Sequence, residues 1–231
     1  MQPIKIEDHK STEFIAHRGL SGMFVENTVS AFNAAGKQDY FGIESDVHVT
    51  RDGKFIIFHD DTTKRLCPLN FKVEKTRYAT LRLLPVKLHR MPNLEEYIEC
   101  CANYKKTAVL ELKNPMSNEN VKNIVSLIDN KNYLQNTIFI SFDGQNLEYI
   151  RKIKEDQPVQ FLASKFTSKV FDYIRKNMFD LDIRYTALHA DAVKLCHDNG
   201  IKVNCWTVDD PDEARKLIDY GVDYLTTDIL I

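Results

Sequence analysis

The sequence predicts an α/β protein: a (β/α)8 TIM barrel with a β-hairpin excursion and a small insertion after its second strand. Three observations carry that expectation. Eight short β-patterned runs recur along 231 residues, most of them followed by a helical pattern, as in parallel-sheet folds. Charged and polar residues gather at the C-terminal ends of these runs, where barrels of this class hold their sites. No glycine-rich dinucleotide fingerprint follows the first run, which weighs against the alternative, an open doubly wound sheet.

The length suits one domain, read here as residues 1–231, with a core large enough to stand alone. No apolar run approaches the roughly 20 residues that span a bilayer. The start, Met1-Gln-Pro-Ile-Lys-Ile-Glu-Asp, has no apolar signal core, so secretion and stable membrane insertion are not expected. Five cysteines (Cys67, Cys100, Cys101, Cys196, Cys205) form no C-x-x-C pair and point to a reducing cytoplasm. The net charge of −2 argues against non-specific nucleic-acid binding. It is unevenly spread: residues 61–92 carry eight Lys or Arg against Asp61 and Glu74, or +6, leaving −8 elsewhere.

In chain order, Phe14-Ile15-Ala16 reads as a strand ending in His17-Arg18-Gly19, whose glycine would let backbone approach a ligand. Asn27 or Thr28 caps a helix through Val29, Ala31, Phe32 and Ala35. Gly42 to Val49 is the second strand. Asp52-Gly53 turns it into a hairpin. With these two as the central turn residues, Asp46 falls opposite His59 and Glu44 opposite Asp61, all on one face. That face is either a site or a solvated polar surface. Residues 61–92 have weak periodicity and read as a small basic insertion over the site, most of whose charges are solvated.

Asn93-Leu-Glu-Glu96 is a capping box opening a helix to Tyr104. The strand Thr107 to Lys113 carries Glu111 and Lys113 on one face. A helix over 117–130 follows, with Val121, Ile124, Val125 and Ile128 at i, i+3, i+4 and i+7. The alternation continues with strands 137–142, 159–163, 179–183, 202–207 and 224–227. Helices over 143–153, 167–176 and 189–199 lie between them, and another starts at Asp210-Pro211-Asp212-Glu213 and stops at Gly221.

Barrel closure would bring His17, Glu44, Asp46, Glu111, Lys113, Ser141 and Trp206 to one mouth. Glu44, Asp46 and Glu111 together repel unless a cation neutralises them, and an all-oxygen set selects Mg²⁺ or Ca²⁺ over zinc. The competing account pairs these acids with Lys113 or Arg18 in structural salt bridges. His17 and His59 flank the cluster, and imidazoles exchange protons near neutrality. With Arg18 and Lys113 on phosphate oxygens, these groups suit phosphodiester cleavage. His48 lies further toward the turn and is a weaker candidate; Cys205 points away and reads as inert.

At these residues the sequence resembles the glycerophosphodiester phosphodiesterase family. The resemblance runs through His17-Arg18-Gly19, Glu26-Asn27-Thr28, Ala31-Phe32, Glu44-x-Asp46-Val47, Thr50-x-Asp52-Gly53 and His59-Asp60. It continues through Pro92-x-Leu94-Glu95-Glu96, Glu111-x-Lys113, Ser141-Phe142, Trp206-Thr207-Val208 and Thr227-Asp228. It implies a metal-dependent hydrolase of small-molecule glycerophosphodiesters that releases an alcohol and sn-glycerol 3-phosphate. Position by position, His17 and His59 match the acid/base pair, and Glu44, Asp46 and Glu111 the ligands of one divalent cation, Mg²⁺ or Ca²⁺. Arg18 and Lys113 match phosphate contacts, and Trp206, at its strand end, walls the pocket. The nucleophile is either water or a substrate hydroxyl. Departures are Val25 for proline, Asp209 for asparagine and Ile229-Leu230 at the end; Asp209 is expected to alter pocket polarity and substrate preference. The short insertion offers little cover for a lipid tail and favours deacylated substrates over the first alternative, a lysophospholipase D; intact His17 and His59 argue against the second, a non-catalytic phosphodiester-binding barrel.

Overall fold

The computed structural model describes residues 2–231. Its elements in order are β1 (Glu13–Ala16), α1 (Val29–Gly36), β2 (Gly42–Val49), β3 (Phe55–Ile57), α2 (Tyr78–Leu83), β4 (Pro85–Val86) and β5 (His89–Arg90). Next come α3 (Leu94–Tyr104), β6 (Thr107–Leu112), α4 (Asn118–Asn130), β7 (Thr137–Ser141), α5 (Gly144–Ile153), β8 (Val159–Ala163) and α6 (Ser168–Asn177). The chain ends with β9 (Asp180–Arg184), α7 (Ala190–His197), β10 (Val203–Trp206), α8 (Pro211–Tyr220) and β11 (Tyr224–Thr227).

Among the described residues, eight parallel strands run β1, β2, β6, β7, β8, β9, β10, β11, and β1 pairs with both β2 and β11, closing the ring. This is a (β/α)8 TIM barrel. Side-chain alternation divides each strand between two interiors. Outward residues such as Leu110 and Leu112 of β6 pack beneath the helices, whose buried stripes include Val121, Ile124, Val125 and Ile128 of α4. Each such aliphatic side chain contributes about 1.5–3 kcal/mol by leaving water. Inward residues Ile15, Val109, Ile138, Ile140 and Leu162 form a separate cluster inside the ring.

The helices start where the side chains dictate. Thr28, Asn93, Ser117, Asp143, Thr167 and Asp210 each accept a backbone N–H of the first turn, and Asn93 with Glu96 completes a capping box. The helix expected over 189–199 is shorter: His189 is its N-cap and it ends at His197.

The hairpin departs from expectation by one residue. Thr50 N–H donates to Lys54 O at 2.8 Å and Gly53 N–H to Thr50 O at 2.9 Å, so Arg51, Asp52 and Gly53 form a three-residue loop with Gly53 left-handed at φ +70°. Val47 therefore pairs with Ile57, and Phe58 N–H donates to Asp46 O at 3.0 Å. Phe58, not His59, lies opposite Asp46. Gly19 after His17-Arg18 has φ +79°, and a Cβ there would sit 2.7–2.9 Å from Ala31, so the glycine lets the loop press on α1.

Between β3 and α3 the chain builds its own small apolar cluster from Ile56, Phe58, Val73, Leu81, Val86 and Met91. Arg82 and Arg90 both pair with Glu96 of α3. Among the described residues no helix is long and apolar enough to cross a membrane.

Candidate active site

The C-terminal strand ends converge on a cavity of about 110 Å³ lined by His17, Arg18, Glu44, His59, Glu111 and Trp206, among others. Parallel register explains the meeting: Asp46 of β2 is level with Glu111 of β6, and alternation turns Glu44, Asp46 and Glu111 inward together. One oxygen from each lies within 4.8 Å of the others. Lys113 Nζ stands 2.8 Å from Glu111 and 3.5 Å from Asp46, and Arg18 Nε is 3.7 Å from Asp46. The salt bridges weighed against a cation site are thus present beside it. Three acids still face two cations.

Burial sets the electrostatics. Burial and the neighbouring Asp46 push the Glu44 carboxyl well up, and the same two causes push Glu111 up to about 7. Asp46, where burial also opposes charge, is nevertheless held low by Lys113 and Arg18. The trio therefore keeps less than its full negative charge on its own. The residues fit a hard divalent ion: all donors are oxygens, and Asp46 Oδ1 is buried without a hydrogen-bond partner among the described residues. Asn27 Nδ2 donates to Asp46 Oδ2 at 2.8 Å, and the backbone N–H of Arg18 to Glu44 Oε2 at 2.8 Å, orienting two of the acids.

Each imidazole is fixed by a carboxylate. His17 Nδ1 is 2.7 Å from Asp228 Oδ1, an oxygen that Ser21 Oγ also meets at 2.7 Å; a carboxylate only accepts, so Nδ1 carries the proton and Nε2 is left for a ligand. His59 Nδ1 is 2.7 Å from Asp60 Oδ1. Burial, helped by Arg18 and Lys113 and opposed by Asp46, lowers the pKa of His59 and favours its neutral form. Asp60 is in turn gripped by Arg65, Arg65 by Glu26, and Glu26 by Arg18 Nη1 at 2.7 Å. His48, buried at the hairpin base, bonds Glu74 at 3.0 Å and the carbonyl of His59 at 3.3 Å.

Asp228, Asp60, Arg65 and Asp182 were not singled out as site residues in the sequence. Asp228 belongs to the Thr227-Asp228 motif, but it lies 211 residues from His17 and nothing in the sequence points to their pairing. Asp182 could have been noticed, as an acid inside a strand pattern. Only 1% exposed, it lines the cavity from β9, its Oδ1 has no partner among the described residues, and burial pushes its carboxyl well up. Trp206 stands edge-on to Phe142 at 5.8 Å, with its indole Nε1 buried and without a hydrogen-bond partner among the described residues. Ser141 turns the other way and donates to Leu112 O at 2.8 Å. Asp209 does not line the cavity: its Oδ1 accepts from Thr227 Oγ1 and Asp228 N–H, so it braces the loop that holds His17. Cys205 is buried on the outer side.

Residues 17–230 match the model of the glycerophosphoryl diester phosphodiesterase family. A glycerophosphodiester phosphodiesterase of Caldanaerobacter subterraneus is 27% identical over 94% of each chain. An Oleispira antarctica phosphodiesterase solved with the product sn-glycerol-3-phosphate superposes with a TM-score of 0.86 at 27% identity, covering 94% of this chain and 92% of its own. A glycerophosphodiester phosphodiesterase from Parabacteroides distasonis gives 0.83 at 27% identity, with 94% and 93% covered. With the family match running from His17, at the end of β1, to Leu230 and so over the remaining seven barrel strands, the chain belongs to the glycerophosphoryl diester phosphodiesterase family and is an enzyme of that class.

Proposed function

We propose that the protein hydrolyses glycerophosphodiesters to an alcohol and sn-glycerol 3-phosphate, using His17 and His59 as the acid/base pair beside one divalent cation on Glu44, Asp46 and Glu111. The observation that carries this is the convergence of a buried acidic trio, two carboxylate-held imidazoles and two cations on one small cavity. When bound, Mg²⁺ or Ca²⁺ would offset the charge of the trio and polarise phosphoryl oxygens.

Arg18, whose Nε has no hydrogen-bond partner among the described residues, and Lys113 hold phosphate oxygens. One imidazole takes the proton of the attacking oxygen while the other gives one to the departing alkoxide. The glycerol end goes to the floor, where Asp182 Oδ1 and Trp206 Nε1 await hydroxyl partners. Residues 1–231 form one such domain. Its basic insertion, about 61–92, serves the site through Arg65, which ties Asp60 to Glu26. Five thiols without a disulfide suit the cytoplasm.

The test is release of glycerol 3-phosphate from glycerophosphocholine and glycerophosphoethanolamine in EDTA, then with Mg²⁺, Ca²⁺ or Mn²⁺ restored. Release is expected only with metal, and to fall by about 10²–10⁴ in His17→Ala and by at least as much in Glu44→Ala. Folded wild type that releases nothing with any ion overturns the reading, and lysophosphatidylcholine in the same assay then separates an acylated substrate from a binding role.

A further inference from the structure

Beside the small cavity, and sharing Glu111 and Phe142 with it, lies an open hollow of about 590 Å³. A diester whose phosphate sits at the acidic trio has two ends. The small cavity, lined by Asp182, Thr226, Ile140 and Leu162 besides the acids, has room for one small end, which leaves the other to emerge over Phe142 toward the hollow. That wall is unusual in its chemistry. Phe142 is 48% exposed, although a bulky ring on a barrel rim gains nothing from water. Phe161 and Tyr173 stand edge-to-face at 5.2 Å on the far side.

The polar groups of the hollow are mostly committed. Tyr173 donates its hydroxyl to Glu148 Oε1 at 2.9 Å, so the phenol serves the hollow through its ring. Asp143 caps α5 with Oδ1, accepting from Gln145 N–H at 2.8 Å, and among the described residues no hydrogen bond engages its Oδ2. Lys113 is tied to Glu111. Gly144 is what admits the aromatic ring: a Cβ there would lie 2.0 Å from the Tyr173 hydroxyl oxygen. Rings plus one available carboxylate oxygen offer a polyol few hydrogen bonds. They suit a cation with an apolar surface, which takes π-faces and a single negative charge in place of donors and acceptors.

We propose that the hollow formed by Phe142, Phe161, Tyr173 and Asp143 is a subsite for the leaving alcohol that selects one bearing a methylated ammonium group. This rests on the phosphodiesterase reading for the placement of the alcohol, but the binding of the cation itself does not.

Two measurements separate them. In the first, kcat/KM for glycerophosphocholine is compared with that for glycerophosphoglycerol, a neutral alcohol on the same phosphate. Wild type is expected to favour the cationic diester. The ratio should fall by about threefold in Asp143→Asn, which keeps the helix cap because asparagine caps as well as aspartate, and by about fivefold in Tyr173→Leu or in Gly144→Ala, which displaces the ring. A wild-type ratio near one, or ratios unmoved by all three variants, overturns the subsite. In the second, choline chloride is titrated against the fluorescence of Trp206, the single tryptophan, edge-on to Phe142, with sodium chloride as the ionic control. A saturable change specific to choline and weakened in Asp143→Asn is expected. Its absence overturns the subsite, and its presence in a protein that cleaves neither diester would sink the phosphodiesterase reading alone.

Discussion

The two imidazoles at the mouth are held by different parts of the molecule. His17 leaves the end of β1 and is gripped by Asp228 at the end of β11, its neighbour in the closed ring. His59 lies beyond β3, on chain that has left the barrel, and its partner Asp60 is anchored by Arg65 from the basic segment. The first depends on ring closure. The second depends on a relay of ion pairs running through Asp60, Arg65 and Glu26 to Arg18. The difference teaches that one half of the site is inherited from the barrel, while the other is assembled from loops, yet both end at the same acidic trio.

Substitution can break that comparison. Asp228→Asn removes the one carboxylate that fixes the His17 tautomer and is expected to lower kcat about a hundredfold. Asp60→Asn should cost only about tenfold, because Phe58 N–H on Asp46 O and His48 on the His59 carbonyl still brace the loop. Equal losses in steady-state kinetics would mean the two halves are equally rigid.

The glycines sharpen it in stability. Both Gly19 and Gly53 are left-handed, but only Gly19 is packed against a neighbour, Ala31. Gly19→Ala should destabilise by about 2 kcal/mol or more and Gly53→Ala by about 1 kcal/mol in urea unfolding. If Gly53→Ala proved the more damaging, the excursion rather than the barrel side would be the tighter half.

The smallest effect concerns pH. Hydrogen bonds from Arg65 hold the Asp60 carboxyl at about 2. A depressed carboxyl stabilises the folded form above its unfolded value near about 4, and that contribution disappears as pH falls through the folded one. In Arg65→Met the largest cause of the depression is removed, and only the hydrogen bond and charge of His59 still hold the carboxyl down. Unfolding midpoints of wild type and variant should therefore differ near neutrality and converge as the medium is acidified across that window; a constant gap would show that the Arg65 contact does not depend on the Asp60 charge.

Much of this was legible from residue order. Alternation in Leu110-Glu111-Leu112, the caps at Thr28, Asn93 and Asp210, and the acids at the ends of β2 and β6 are local signals, and the structure keeps them. The hairpin register was not. Asp52-Gly53 fits a two-residue turn and a three-residue loop equally well in sequence, and the choice of the latter shifted every cross-strand pair by one. His59 still reaches the cavity because the ladder stops at Ile57 and the chain bends inward.

By itself, then, the sequence determined the repeating strand and helix pattern, the inward positions of Glu44, Asp46 and Glu111, and the family to which the chain belongs. The pattern and the inward positions follow from alternation and capping, which act over a few neighbouring residues; the family follows from the motifs spread along the chain and from the family match over residues 17–230. Only the tertiary structure decided that Asp228 would hold His17 across the closed ring, that Arg65 of the excursion would bind Asp60 and Glu26 together, and that Phe142 would stand exposed between two cavities. Those contacts join side chains whose separation along the chain carries no periodic signal, and their geometry exists only once the strands have taken their register.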